Sequence, residues 1–387
     1  MACVSSAATW FVISGGHGDD TQMRPLSTLW RGFLEGEAGP LARWTLGPLL
    51  TTLSYPYGWA HQLRLQAYHR RWLAVKRLPC RVISVGNLTL GGTGKTPMVE
   101  AVANLLRQEG LCVGILSRGY GGSSRAALSL VSDGEKCLLS PDVAGDEPVL
   151  LAERLPGVPV VVGRNRYAAG MLAIKRFGVG VIVLDDGFQH VQLARDLDIL
   201  LLDANRPFGN GRLFPRGDLR ERPTALARAQ VTVFTRWNPA STHPSAAPQL
   251  PPLTPPIFYS QHQPLDLRVL NDGRILPLTA LKGRRILAFC GIGTPDHFRQ
   301  MLQRLGAEVV TYVTFPDHHP YTRSDIGFLI QKAKDWGAEM LVTTEKDGVR
   351  LRKYRPTLEH IWELRIRATI VASETLWRTY ILGTILG

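Results

Sequence analysis

"VGNLTLGGTGKTP", residues Val85 to Pro97, is the stretch on which the reading of this chain turns. The phosphate-loop pattern is Gly, four residues, then Gly-Lys-Ser/Thr, and counting back from Gly94-Lys95-Thr96 puts Thr89 where the first Gly belongs. The surroundings outweigh that mismatch. "RVISVGN" reads as a strand and "MVEAVANLLRQEG" as a helix, with Gly91, Gly92, Thr93, Gly94, Lys95 and Thr96 in the turn between them. A phosphate site needs backbone N–H groups, a helix N-terminus behind them, a Lys, and a hydroxyl that can ligate Mg²⁺. All four are present. Gly91 and Gly92 supply the backbone freedom of the displaced Gly, and Pro97 suits a helix start. The alternative is an ordinary Gly-rich turn.

Around this loop, from Cys80 to Trp237, short β-branched runs alternate with helical stretches: "CVGILSRGY", "PVVVGRN", "VGVIVLDDG", "LDILLLDAN" and "VTVFTR". Apolar runs this continuous fit strands covered on both faces, hence an α/β fold with a parallel sheet and right-handed crossovers, its ligand at the carboxyl ends of the strands. "VIVLDDGFQH" delivers Asp185 and Asp186 to such an end, where a carboxylate can hold Mg²⁺. A turn-forming Asp-Gly cap is the other reading. Between Asn238 and Leu270 the chain is Pro-rich and strand-poor, a linker by composition. A second, smaller α/β unit resumes with "RRILAFCGIG". The expected division is a loose extension at 1–22, a helical membrane-associating segment at 23–79, a P-loop nucleotide-binding domain at 80–237, a linker at 238–280 and a C-terminal α/β domain at 281–387.

The 387 residues carry a formal charge of +13, which attracts anionic partners without choosing among nucleic acid, an anionic membrane and a phosphorylated substrate. Five scattered cysteines with no Cys-x-x-Cys pair argue against a disulfide framework and fit a reducing cytoplasm. The first residues have a short apolar run but no basic leader, and Met23 precedes the first segment that looks structured. "LGPLLTTLSYPYGWA" is too short to span a bilayer and is interrupted by Pro48, Pro56 and Gly58. "WAHQLRLQAYHRRWLAVKR" places Trp59, Leu63, Ala67 and Trp72 among Arg64, Arg70, Arg71, Lys76 and Arg77, a basic amphipathic helix that could lie on an anionic leaflet or pack on its own domain.

Taken in order, "VGNLTLGGTGKTPMVE", "SRGYGG", "GDEPVLLAERL", "VGRNRYAA", "LDDGFQH", "FGNGRLFPRGDLRE", "CGIGTPDHF", "FPDHHPYT" and "TTEKDGVRL" resemble the tetraacyldisaccharide 4'-kinase family from about Leu46 to Leu351. The resemblance implies ATP-dependent phosphorylation, with Mg²⁺, of the 4'-hydroxyl of a lipid A precursor disaccharide 1-phosphate at the cytoplasmic face of the bacterial inner membrane. It also implies tolerance of Thr at the first loop position. Lys95 then neutralises the β- and γ-phosphates and Thr96 ligates Mg²⁺ beside Asp185 and Asp186, either of which could be the direct ligand. Asp146 of "GDEP" becomes the base, supported by His318 of "FPDHHPYT". Without the resemblance, Asp146 reads as a helix cap and His318-His319 as a turn or a weak metal site. Arg118 and Arg166 are expected on phosphate or on the substrate's 1-phosphate, with surface salt bridging as the alternative. Asp218, Arg222 and Thr294 depart from the family's usual residues.

The partners implied are the lipid substrate and an anionic membrane surface, with no required protein partner. No helix-turn-helix, RNA-recognition or zinc-finger pattern supports nucleic acid. The competing function is a nucleotide-gated membrane-surface binder. "TEKD", Thr344 to Asp347, is the nearest approach to a guanine-reading motif, but it follows a late strand of the second unit.

Overall fold

In the computed structural model, residues 40–238 and 255–387 are described. The extension expected at 1–22 and the most Pro-rich part of the linker lie outside them. Among the described residues, thirteen strands form one sheet. They are β1 (Arg81–Asn87), β2 (Val113–Ser117), β3 (Leu128–Asp133), β4 (Pro159–Gly163), β5 (Val181–Asp185), β6 (Leu197–Asp203), β7 (Val231–Thr235), β8 (Ile257–Val269), β9 (Ile275–Leu276), β10 (Arg285–Cys290), β11 (Glu308–Thr314), β12 (Met340–Thr344) and β13 (Ile361–Val371). The spatial order is β11-β10-β12-β13-β8-β7-β6-β1-β5-β2-β4-β3, with β9 beside β8.

The sheet is mostly parallel, as the unbroken apolar runs require: β1 is buried from Val82 to Asn87, and β2, β4, β5 and β7 throughout. Strand β1 lies between β5 and β6 and pairs parallel with both, Val85 opposite Asp185. The loops after β1 and β5 therefore open at the same carboxyl edge, where a crevice forms. The edge strand β3, which the apolar pattern did not reveal, is antiparallel to β4.

The helices are α1 (Pro40–His69), α2 (Lys95–Gln108), α3 (Pro141–Ala144), α4 (Asp146–Arg154), α5 (Arg166–Phe177), α6 (Pro295–Arg304), α7 (Arg323–Asp335), α8 (Glu345–Leu351) and α9 (Glu374–Leu386). Two expectations need correction. The stretch 257–269 is not strand-poor: β8 runs through it and pairs antiparallel with β13 along ten positions from Tyr259 to Val269, joining the two halves of the sheet. Burial alternates only toward its two ends, with Phe258, Ser260, Leu267 and Val269 buried and none of 261–266 buried, unlike a covered parallel strand. Second, the chain does not stay in the C-terminal half. Trp377, Ile381 and Ile385 of α9 return to the first core, with Val102 and Leu106 of α2, and Trp377 meets Phe258 edge-on at 5.2 Å.

Helix α1 also departs from the expected limits. It passes through Pro48 and Pro56 and ends at His69, so Arg70, Arg71, Lys76 and Arg77 follow it instead of extending it, Arg71 with φ 60°. Each proline removes one N–H from the ladder. Nearby hydroxyls take up main-chain carbonyls: Thr51 Oγ1 donates to Gly47 O (2.8 Å), Thr52 Oγ1 to Pro48 O (3.1 Å) and Ser54 Oγ to Leu50 O (2.9 Å). No described helix is long and apolar enough to cross a membrane.

Candidate active site

The loop after β1 has the backbone that phosphate binding demands. Gly91 (φ 105°) and Gly94 (φ 79°) occupy the left-handed region, and Gly94 caps α2, whose first residues are Lys95 and Thr96. Pro97 falls within the first turn, where its missing N–H leaves no bond unmade. A Cβ on Gly94 would lie 2.5 Å from His262 Nε2, so the close wall behind the loop also excludes any larger residue.

Lys95 Nζ lies 3.8 Å from Asp186 Oδ1 and donates to Asn87 Oδ1 (3.4 Å). Adjacent carboxylates Asp185 and Asp186 have been given opposite surroundings. Asp185 is buried at the end of β5; Ser117 Oγ donates to its Oδ2 (2.9 Å), while its Oδ1 is buried with no hydrogen-bond partner. Burial, with Glu147 and Asp186 nearby, raises its pKa to about 7. Asp186, at φ 54°, receives Arg220 Nη1 on both oxygens at 2.8 Å. Burial pushes its pKa up, but Lys95 and Arg220 more than offset that and hold it below the ordinary value. The donor set suits one divalent cation held by the Thr96 hydroxyl, the bare Oδ1 of Asp185 and phosphate oxygens. No cluster of three or more His, Cys, Asp or Glu that could hold a metal occurs among the described residues, so the weak site considered for Asp317-His318-His319 is not supported.

Across the crevice, Asp146 and His318 meet although 172 positions separate them: His318 Nδ1 lies 3.0 Å from Asp146 Oδ2 and 3.2 Å from Oδ1. Asp146 is the first residue of α4, not its cap, and its Oδ1 accepts from Glu147 N (2.9 Å). Arg350 on α8 donates to Asp146 Oδ2 through Nε (2.7 Å) and also through Nη2. Burial opposes the charge, yet His318, Lys346 and Arg350 hold Asp146 well below the usual carboxylate range. Lys346 Nζ is 3.3 Å from His318 Nε2 and 3.1 Å from Glu147 Oε1. Asp347, buried, receives Gly291 N (3.1 Å), Tyr321 OH (3.0 Å), Thr344 Oγ1 (2.6 Å) and Arg350 Nη1 (3.1 Å). The "TEKDGVR" segment thus supports the Asp146–His318 pair, which corrects its consideration as a guanine reader. His319 bonds Asp325 at 3.0 Å and faces away from the pair.

The two arginines expected on phosphate differ. Arg118 is exposed at the end of β2. Arg166 is buried, 3% exposed, at the start of α5; Nη1 donates to Gly163 O, which rules out a surface salt bridge. Burial lowers its pKa to about 10, with Asp185 and Asp186 opposing, so its charge faces the carboxylate pair. Asp218 accepts from Asn210 N (3.1 Å), while its carbonyl accepts from Leu90 N (2.6 Å) and so ties its loop to the phosphate loop. Arg220, Arg350, Lys346, Asn87 and Ser117 escaped the sequence reading as site residues. All five lay inside quoted motifs, but which oxygen each would meet depends on chain approach, which spacing does not encode.

The family profile of tetraacyldisaccharide-1-P 4'-kinase matches residues 46–385. A tetraacyldisaccharide 4'-kinase of Syntrophus aciditrophicus is 49% identical over 315 residues, covering 78% of this chain and 84% of that protein. One from Geobacter sulfurreducens is 42% identical over 347 residues, covering 90% and 95%. The crystal structure of an "apo" form LpxK from Aquifex aeolicus in complex with ATP aligns with TM-score 0.71 at 34% identity, over 88% of this chain and all of that one. With its phosphate loop and the facing carboxylate–imidazole pair, this chain belongs to the tetraacyldisaccharide 4'-kinase family.

Proposed function

We infer that the protein transfers the γ-phosphoryl group of ATP to the 4'-hydroxyl of a tetraacyldisaccharide 1-phosphate, with Asp146 and His318 taking the hydroxyl proton. The single observation that supports this most is that Asp146 and His318 pair at 3.0 Å while Glu147, the next residue, lies close enough to Asp185 to help raise its pKa. Backbone N–H groups from Gly91 to Thr96 and the Lys95 ammonium bind and orient the phosphates. Thr96 and Asp185 would hold Mg²⁺, which supplies charge neutralisation on the phosphate oxygens. Arg220 occupies both oxygens of Asp186, so Asp185 is the better direct ligand and Asp186 the carboxylate that steadies Lys95.

Asp146 stays ionised in its cage of cations and holds the His318 ring; as the sugar oxygen bonds to phosphorus, the pair accepts its proton. Arg118 and Arg166 are assigned to phosphate, Arg118 from the open rim and Arg166 from beneath the carboxylates. Steady-state kinetics test the pairing: Asp146→Asn should lower kcat far more than it raises KM for ATP. An equal change in both would remove the base assignment.

We further propose that α1 docks the enzyme on the cytoplasmic face of the inner membrane. The helix is inverted relative to a soluble one. Its inward side carries Gly47, Ser54, Tyr57, Gly58 and His61, with Ser54 Oγ donating to Leu213 O (3.0 Å) and Tyr57 OH to Arg220 O (3.1 Å). Outward stand Trp44 at 82% exposure and Trp59 at 70%, with Leu46, Leu49, Leu53 and Leu63 also exposed. An apolar face this continuous, with Arg64, Arg70 and Arg71 beside it, suits a lipid surface. These inward contacts tie the helix to Leu213 and to the main chain of Arg220, whose side chain holds Asp186. We take residues 80–237 and 281–387 as two domains, joined by β8, which pairs with β7 of the first and β13 of the second.

A further inference from the structure

The end of β7 holds the outer side of the phosphate loop in a way the kinase chemistry above does not use. Thr235 Oγ1 donates to Thr93 O at 2.9 Å. Arg236, the next residue, donates through Nη2 to Gly92 O and through Nη1 to Asp203 Oδ2 at the end of β6. Its side chain is 5% exposed, and its backbone sits at φ 56°, a conformation uncommon for a residue with a Cβ. Strain of this kind persists where the surroundings enforce it, and here the reversal turns the guanidinium back toward Gly92.

In a planar trans peptide the carbonyl of one residue and the N–H of the next point in opposite directions. Anchoring Gly92 O and Thr93 O on the β7 side therefore aims the N–H groups of Thr93 and Gly94 the other way. An unanchored glycine-rich turn has no such preference, because Gly91, Gly92 and Gly94 can each rotate at little cost. We propose that Thr235 and Arg236 are positioning residues for nucleotide phosphate: they fix the two loop carbonyls so that the adjacent N–H groups form a ready anion cradle, and Asp203 holds Arg236 in place. This rests on the assignment of the loop to ATP phosphates and adds to it the groups that set the loop's shape.

The test is the equilibrium dissociation constant of Mg²⁺-ATP for the full chain without lipid, with KM for the lipid measured separately. Arg236→Gln should weaken ATP about tenfold or more, the scale of losing a charged donor, and Arg236→Lys should recover part of that loss. Lipid KM should stay within about twofold, which a general structural defect would not respect. If Arg236→Gln does not fold, Thr235→Val decides, with about a fivefold weakening expected for one neutral hydrogen bond. A folded variant that binds ATP as wild type does, or that loses lipid and ATP affinity equally, overturns the proposal. Lys95→Ala separates the two layers: if it too leaves ATP binding unchanged, the phosphate-site assignment itself fails, whereas a loss confined to Lys95→Ala removes the carbonyl anchor alone.

Discussion

Asp185 and Asp186 are adjacent in the chain, yet one has an unpartnered buried oxygen, Oδ1, and the other is clasped by Arg220. That contrast has a measurable consequence. With its pKa raised to about 7, Asp185 works against the fold when ionised: its contribution is fully present below the ordinary carboxylate value and is lost as pH rises through about 7. Asp185→Asn should therefore raise the thermal midpoint of the ligand-free protein clearly at pH 8 and by distinctly less at pH 5. The same variant should lose about two orders of magnitude or more in kcat, as expected for removing one preorganised electrostatic group. Melting curves at the two pH values, beside kcat, check both. At Asp146 and His318 the expectation is non-additivity: His318→Ala is milder than Asp146→Asn, and the double variant is little worse than Asp146→Asn alone. Losses that multiply would mean the two act separately, despite Nδ1 lying 3.0 Å from the carboxylate. Lys95, Thr96 and the aspartates were legible because a strand, a Gly-rich turn and a helix place them in consecutive order. Asp146 and His318 were legible only through the family resemblance, and Arg236 and Arg350 as site residues not at all. An arginine reaches its partner through a long side chain and the approach of distant segments, and neither leaves a local pattern.

Among the elements, α1 carries the clearest reversal of expectation. The sequence stretch Trp59–Arg77 reads as one basic amphipathic helix, but the helix covers only the first part of it and extends instead back to Pro40 through two prolines. Proline is a reliable stop only where the missing bond and ring clash find no relief, and here the helix presents that side to solvent with Pro48 and Pro56 exposed. Replacing Trp44, Trp59 and Leu63 together with Ser should sharply weaken sedimentation with anionic vesicles while leaving the thermal midpoint close to wild type, because these side chains touch little of the protein. Reversing Arg64, Arg70 and Arg71 to Glu should also weaken it, and added salt should mimic only this second change. Undiminished vesicle binding in the Ser variant would refute the docking role. Strand β8 teaches the complementary lesson. Its Pro264 and mixed polar pattern hid a strand because β8 pairs antiparallel with β13, and alternating burial on such a ribbon looks like loop composition in a single sequence.

At the scale of the whole molecule, the halves of the sheet are joined by more than that ribbon. Arg154 on α4 meets Glu100 of α2 at 3.0 Å, donates to Ile366 O of β13 at 2.9 Å and lies 3.7 Å from Glu345 of α8. Burial, with Glu363 and Glu100 nearby, raises Glu345 to about 8 even with Arg154 present. Arg154→Met would remove the paired cation of buried Glu345 and partly buried Glu100, at a cost of about 3–5 kcal/mol at alkaline pH. The sign follows from the raised values: both acids are neutral at low pH and ionise as it rises, so the deficit should be small near pH 5 and grow through pH 8. Denaturant titrations of wild type and variant across that range check it, and a pH-independent difference would contradict it. Because α4 begins with Asp146 and α8 bears Lys346 and Arg350, this junction also holds the Asp146–His318 pair in place. The central claim is phosphoryl transfer across that crevice, and its most direct measurement supplies purified protein with γ-labelled ATP, Mg²⁺ and a tetraacylated disaccharide 1-phosphate in mixed micelles. The expected result is label on the 4'-oxygen of the lipid, abolished in Lys95→Ala; release of labelled inorganic phosphate with no labelled lipid would contradict it.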